Sequence, residues 1–233
     1  MESFVIRNLL SKEEVDDILH FDYKHNWYRA SSIDKLGKGL QIEGPRITEQ
    51  KTFNYYQCPS FHKILKKSNE LFKKKLYTAE SLSLLKYDGR LKAKFDWHRD
   101  TLNYYIDIDQ RNKFINDPEQ LYIRNTRPKR KVSISVALND VSEYNGGTLL
   151  LDEEGNENEK KASVIKLNKG DAAIFDSHMY HGVHPVTEGV RYALIIWLYD
   201  LEKFYEWWEF NDEEPSEGWD RFKGYYEKHD IPL

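Results

Sequence analysis

The stretch from Phe175 to Trp197 holds three histidines, His178, His181 and His184, between an apolar run and a second apolar run that opens on Arg191. Far upstream, in Phe95 to Thr101, His98 and Asp100 stand two residues apart, a spacing that turns both side chains to one side of an extended chain. Two imidazoles and one carboxylate on one face of a metal leave the opposite positions open, the ligand set of non-haem Fe(II) oxygenases. His98, Asp100 and His181 are read as that set. Taken alone, the His-x-Asp pair reads more readily as a surface ion pair at a strand end, and His178 and His184 compete for the third position.

These residues need strands to position them. Val132, Ile134, Val136 and Leu138 alternate with Ser133, Ser135 and Ala137, which predicts a strand with one packed face and one face of small side chains that leaves volume for a ligand. Leu82, Leu84, Leu85 and Tyr87 predict another strand, with a turn at Asp88-Gly89 before the return to His98. Tyr144 to Gly147 reads as a tight turn, with paired glycines that permit positive φ or close approach. Asp152 to Lys161 is a charged hairpin tip, and the runs SVIKL and AAIFD, joined by Asn168 to Asp171, are expected to pair with each other. Ser11 and Glu14 form a capping box that starts a helix over Lys12 to Phe21. A second, lysine-rich amphipathic helix is expected over Ser60 to Leu76. The glycines and proline of residues 27–50 mark a loop with no chemistry assigned. The segment 101–131, with Arg124, Arg127, Lys129, Arg130 and Lys131, is expected to be either a lid over the site or an exposed basic stretch.

Composition bounds the reading. The 233 residues, 14% of them aromatic, suffice for one domain with a sizeable core. A single domain over 1–233 is expected, with helical support over 1–80, a barrel core over 81–200 and a helical C-terminal extension over 201–233. A net charge of -4 argues against nucleic acid as the main partner. Cys58 is the single cysteine, so no disulfide forms within the chain, and the start MESFVIRNLLSKEEV has no basic stretch followed by an apolar one. No apolar run is long enough to span a membrane, so a cytoplasmic, intracellular protein is expected.

The pattern H-x-V-x-P-V-x-x-G-x-R that starts at His181 and runs into RYALIIW resembles the distal half of the prolyl 4-hydroxylase-like 2-oxoglutarate/Fe(II) dioxygenases. The resemblance extends to LLKYDGRLKAKFDWHRD and RKVSISVALNDVSEYNGGTLLL, in the same order, and so covers about half of the chain. It implies a mostly β fold with supporting helices, a double-stranded β-helix or jelly-roll-like barrel. It implies Fe(II) on His98, Asp100 and His181, 2-oxoglutarate held by Arg191 with Tyr87 beside it, and ascorbate as reductant. Arg191 ten residues beyond His181 favours that histidine over its neighbours. Relatives with a larger polar residue near Ala137 use it on the cofactor, which here leaves more to Arg191. The activity implied is hydroxylation of an unactivated C–H bond, foremost a prolyl residue in a peptide or protein substrate. The alternatives are the same chemistry on a small molecule or on nucleic acid, and a non-catalytic cupin-like metal-binding module.

Overall fold

A computed structural model of the chain describes residues 1–21, 26–29, 46–78, 81–100, 130–202 and 217–232. Arg124, Arg127 and Lys129, the rest of the expected lid over 101–129, and Gly37, Gly39 and Gly44 lie outside the described residues.

The alternation in KVSISVALND produces β8 (Arg130–Ala137), and the apolar runs on either side of the histidine stretch produce β12 (Ala172–Asp176) and β14 (Val186–Asp200). With β1 (Ser3–Ile6), β2 (Tyr28–Arg29), β4 (Glu49–Phe53) and β6 (Leu82–Asp88) they form a large antiparallel sheet in the order β1-β12-β8-β14-β6-β4-β2. β5 (Leu76–Tyr77) and β9 (Tyr144–Gly146) pair with the two ends of β14. The second sheet runs β11-β10-β13-β7-β3, from β3 (Arg46–Ile47), β7 (Lys94–His98), β10 (Leu149–Leu151), β11 (Ser163–Ile165) and β13 (His181–Val183). The two sheets face each other across a cavity lined from both, which is the double-stranded β-helix expected from the sequence.

Three of the expectations are corrected here. SVIKL and AAIFD do not pair with each other: β11 pairs with β10 in the small sheet and β12 with β8 and β1 in the large one, so residues 166–171 carry the chain between sheets. Tyr144 to Gly146 is a short strand on β14 rather than a free turn. Residues 1–80 supply strands as well as helices, since β1 lengthens the large sheet beside β12 and β4 beside β6. Short polar strands such as Glu49–Phe53 lack the apolar alternation that marks a strand in sequence.

Helices cover the outer face of the large sheet. In α1 (Lys12–His20) the Ser11 hydroxyl accepts from the Glu14 backbone N–H at 3.2 Å and the Glu14 carboxylate accepts from the Ser11 N–H at 2.9 Å, with Val15 and Ile18 turned inward. In α2 (Phe61–Phe72) the buried face is Phe61, Ile64, Leu65, Ser68 and Phe72. This helix stops four residues before its expected end, because Lys73 adopts a left-handed conformation at φ 50° and Leu76 joins β5. Phe222 and Tyr226 of α3 (Glu217–Lys228) complete the same core, and the Tyr226 hydroxyl donates to the Leu76 carbonyl. Val132, Ile134 and Val136 of β8 pack into this layer, so Ser133, Ser135 and Ala137 face the cavity side.

Asp88 pins the end of β6 beside the cavity. Its carboxylate accepts from the Arg90 backbone N–H at 2.9 Å and from the Arg90 guanidinium at 2.6 Å, and these bonds hold its pKa down to about 2. A carboxyl depressed in the folded state stabilises above its unfolded pKa, and that stability is lost as pH falls through about 2. Arg90 is largely solvent-exposed and the pair is screened, so the contribution is about 1 kcal/mol. Asp88→Asn is therefore expected to lower stability by about that amount at neutral pH. In urea unfolding the gap from wild type should narrow mainly between about pH 4 and pH 2.

Candidate metal centre

β7 and β13 are neighbours in the small sheet, with His181 opposite His98 in the register. That pairing brings together residues more than eighty positions apart, and Asp100 follows at the end of β7, where its N–H donates to the Ser177 carbonyl at 3.1 Å. The ligand atoms of His98, Asp100 and His181 all lie within 4.8 Å of one another. His181 Nε2 is 3.4 Å from Asp100 Oδ2, and His98 Nε2 is 3.7 Å from Asp100 Oδ1. His178 and His184 point elsewhere: both are exposed, and His184 faces Glu159 at 3.2 Å.

Backbone carbonyls orient both imidazoles. His98 Nδ1 donates to the Asp96 carbonyl at 2.7 Å and His181 Nδ1 to the Met179 carbonyl at 3.0 Å, which leaves each Nε2 as the lone-pair nitrogen turned toward Asp100. Phe95 stacks on His98 at 3.7 Å between centroids, and Phe175 meets His181 edge-on at 4.8 Å. The carboxylate is held from behind by a relay in which the Ser177 hydroxyl donates to Ser133 at 2.8 Å and Ser133 to Asp100 Oδ2 at 2.6 Å. The small face of β8 thus does more than leave volume.

Electrostatics favour a cation. Burial by itself pushes the Asp100 carboxyl up, but His181, His98 and their hydrogen bonds outweigh it and hold the group well below its usual range. Burial, reinforced by His181, lowers His98 and keeps it neutral. Burial also works against protonation of His181, yet the adjacent Asp100 raises it, so a metal would compete with a proton there. His98 Nε2 is buried with no hydrogen-bond partner, an orphan that a metal would satisfy. Two neutral imidazole nitrogens and one carboxylate oxygen fit Fe(II), with open positions toward the cavity.

Arg191 lies deeper in the same cavity. It is 3% exposed, pairs in register with Tyr87, and holds its guanidinium 5.0 Å from the Tyr87 ring centroid. Among the described residues no carboxylate pairs with it, and its Nη1 is buried without a partner. Such a group costs several kcal/mol unless an anion joins it, so the cavity fits a ligand with a carboxylate at its far end. Gly147, at φ 62°, passes close by: a Cβ there would stand 3.0 Å from Arg191 Cδ and 2.9 Å from Val186 Cγ2. Gly147→Ala is expected to displace the guanidinium and weaken binding of a carboxylate ligand in this cavity by roughly tenfold with metal affinity unchanged, as read by calorimetry.

Sequence reading missed several neighbours of the site. Arg130, expected in the exposed or lid segment, is 6% exposed, with its guanidinium 3.7 Å from the Trp197 ring centroid and Nη1 3.9 Å from Asp100 Oδ1. Lys131 pairs inward with Asp176 at 3.1 Å. Arg46, in the stretch given no chemistry, lines the cavity and lies 5.0 Å from the ring centroid of Phe95, its register partner. Arg130 and Lys131 had only their place in the stretch expected as a lid over the site, and Arg46 had no signal.

The family model of the 2OG-Fe(II) oxygenase superfamily matches residues 82–199. A PKHD-type hydroxylase of Psychrobacter sp. (strain PRwf-1) is 36% identical over 70 residues, 30% of this chain and 25% of that protein. One of Xylella fastidiosa (strain M12) is 40% identical over 70 residues, 30% of this chain and 28% of that protein. The aligned segment thus spans about a quarter of these curated relatives. Among solved structures, a prolyl hydroxylase from Trichoplax adhaerens, in complex with a hypoxia inducible factor peptide fragment, superposes with a TM-score of 0.58 at 16% identity over 87% of this chain and 86% of that one. A viral collagen prolyl hydroxylase of Paramecium Bursaria Chlorella virus-1 gives 0.57 at 19% identity, over 86% and 97%. At these identities the likeness is one of fold.

Proposed function

We propose that this chain, which belongs to the 2OG-Fe(II) oxygenase superfamily, is a 2-oxoglutarate- and Fe(II)-dependent dioxygenase that hydroxylates an unactivated C–H bond, foremost of a prolyl residue in a peptide or protein. The carrying observation is that one cavity holds both a His-Asp-His donor set with an orphaned imidazole nitrogen and a buried arginine with which no carboxylate among the described residues pairs. His98, Asp100 and His181 hold the metal, Arg191 holds the far carboxylate of 2-oxoglutarate, and Tyr87 packs against that arginine. The chemistry that Fe(II), 2-oxoglutarate and dioxygen supply there is oxidative decarboxylation to succinate and carbon dioxide coupled to hydroxylation, with ascorbate as an accessory reductant. The chain's part is positional. Ser177 and Ser133 fix the carboxylate, the Asp96 and Met179 carbonyls fix the imidazoles, and Leu85, Leu149 and Val183 line the cavity with apolar side chains.

A prolyl substrate is supported by two of the structures this fold resembles, which are prolyl hydroxylases, one of them bound to a peptide. Nucleic acid is the weaker reading. Of the lysines along α2 and its end, Lys63, Lys67 and Lys74 are paired with Glu14, Glu70 and Asp200. A single domain over 1–233 and a cytoplasmic location complete the proposal; Cys58 is buried, and no helix among the described residues is long and apolar enough to cross a membrane.

The test is anaerobic addition of Fe(II) and 2-oxoglutarate to the metal-free protein, followed by admission of oxygen. A visible charge-transfer band of a chelated keto acid, then iron-dependent succinate, supports the dioxygenase. A folded, metal-binding protein that gives neither is a cupin-like binding module instead. Proline-containing peptides, free proline and oligonucleotides then compete as stimulants of succinate formation, and stimulation by oligonucleotides alone would displace the prolyl reading.

A further inference from the structure

Among the described residues, three side chains that line the cavity carry a buried polar atom with no hydrogen-bond partner: His98 at Nε2, Arg191 at Nη1 and Trp197 at Nε1. Buried polar atoms are almost always paired in folded proteins, so three orphans around one cavity outline what the cavity takes. The first is a lone pair for a metal and the second a donor for a carboxylate. The third is an indole N–H with no role in the reading above.

Its place in the cavity is fixed from two sides. Trp197 stands opposite Ser133 in the register of β14 and β8, and the Ser133 hydroxyl donates to Asp100. The Arg130 guanidinium lies on the Trp197 ring and reaches to 3.9 Å from Asp100, so the indole is held beside the carboxylate of the metal ligand set. Arg191 is six residues earlier on the same face of β14, next to Tyr87. One orphan donor therefore stands at the metal end of the cavity and the other at its far end. A ligand that satisfies both has acceptor oxygens at both ends, as a dicarboxylic keto acid does.

We propose that Trp197 is a ligand-binding residue whose indole N–H donates to an acceptor oxygen at the metal end of bound 2-oxoglutarate. The inference rests on the assignment of that cofactor. It adds a second anchoring point and assigns Arg130 a positioning role, because the guanidinium stacked on the ring holds the indole in place.

The experiment uses 2-oxoglutarate with no substrate present. Zn(II)-loaded, 15N-labelled protein is titrated with 2-oxoglutarate, and the Trp197 indole N–H resonance is assigned by its disappearance in Trp197→Phe. The expected result is a downfield movement of that resonance on binding, with the indole resonance of Trp27 unmoved. In anaerobic Fe(II) protein, Trp197→Phe keeps an aromatic ring under Arg130 and is expected to bind 2-oxoglutarate about tenfold more weakly, as for loss of one charge-assisted hydrogen bond. Its charge-transfer band should shift, with metal affinity and Tm as in wild type, which a merely structural role would not produce. A stationary resonance overturns the proposal whatever the variant does, and if Trp197→Phe fails to fold, the wild-type resonance decides. Should wild type bind 2-oxoglutarate and Arg191→Met lose it while Trp197→Phe does not, the Trp197 assignment alone falls. No binding by wild type removes the cofactor reading itself.

Discussion

His181→Ala is expected to abolish Fe(II) binding at micromolar metal and to bring 2-oxoglutarate turnover below detection, while the protein remains folded. Loss of a residue that merely orients a metal ligand costs ten- to a hundredfold in affinity, and loss of one of three ligands costs more, about a thousandfold. The fold should survive because His181 packs against Phe175 and His98 at the edge of the cavity rather than in the layer between sheet and helices. Truncation also removes a group that pairs with Asp100 across a buried gap. Asp100→Asn tests the same centre from the charge side: it keeps the shape and a partner for Ser133 but deletes the only carboxylate of the set. Both variants should retain the circular dichroism of wild type and lose the metal-dependent rise in Tm. Wild-type affinity for Fe(II) in either variant would show that the metal is held elsewhere.

Arg191→Met carries the second large effect, and its two consequences have opposite signs. A buried guanidinium paired with a ligand carboxylate is worth about 2–4 kcal/mol, so 2-oxoglutarate should bind roughly a hundredfold more weakly or worse. The metal site, formed by other strands, should keep its affinity. Without ligand the same guanidinium is buried with an unpaired Nη1, which is costly, and a methionine of similar volume removes that cost. The variant is therefore expected to be as stable as wild type or up to about 1 kcal/mol more stable in the ligand-free state. Calorimetry of 2-oxoglutarate binding and chemical denaturation of the apo-protein check the two halves. A variant that loses stability and keeps its affinity would show that Arg191 serves packing and that the carboxylate binds elsewhere.

Much of this was legible in the chain itself. Alternation over Val132 to Leu138 named both faces of β8, and the capping box at Ser11 and Glu14 named the start of α1, because both signals are local and depend only on backbone period and hydrogen-bond chemistry. The spacing of His98 and Asp100, together with the family resemblance that runs from His181 to Arg191, singled out residues that the structure gathers around one cavity. His178 and His184 stand exposed, outside that group.

Other features had no local signature. Arg130 sits in a run of basic residues that reads as a solvated stretch, and only the approach of β14 and Asp100 shows that it is buried on Trp197. Arg46 and the pairing of β3 with β7 follow from a contact across nearly fifty residues, within a sequence whose glycines and polar side chains signal only a loop. The same holds for β11 and β12, adjacent in sequence and placed in different sheets, since strand pairing is decided by which faces can be buried together. Residue types and local spacing were enough to specify the chemistry of the ligand set and the two faces of β8. Tertiary structure alone decided which orphaned atoms share the cavity with that ligand set, because hydrogen-bond satisfaction depends on neighbours that the fold, and not the order of residues, brings within reach.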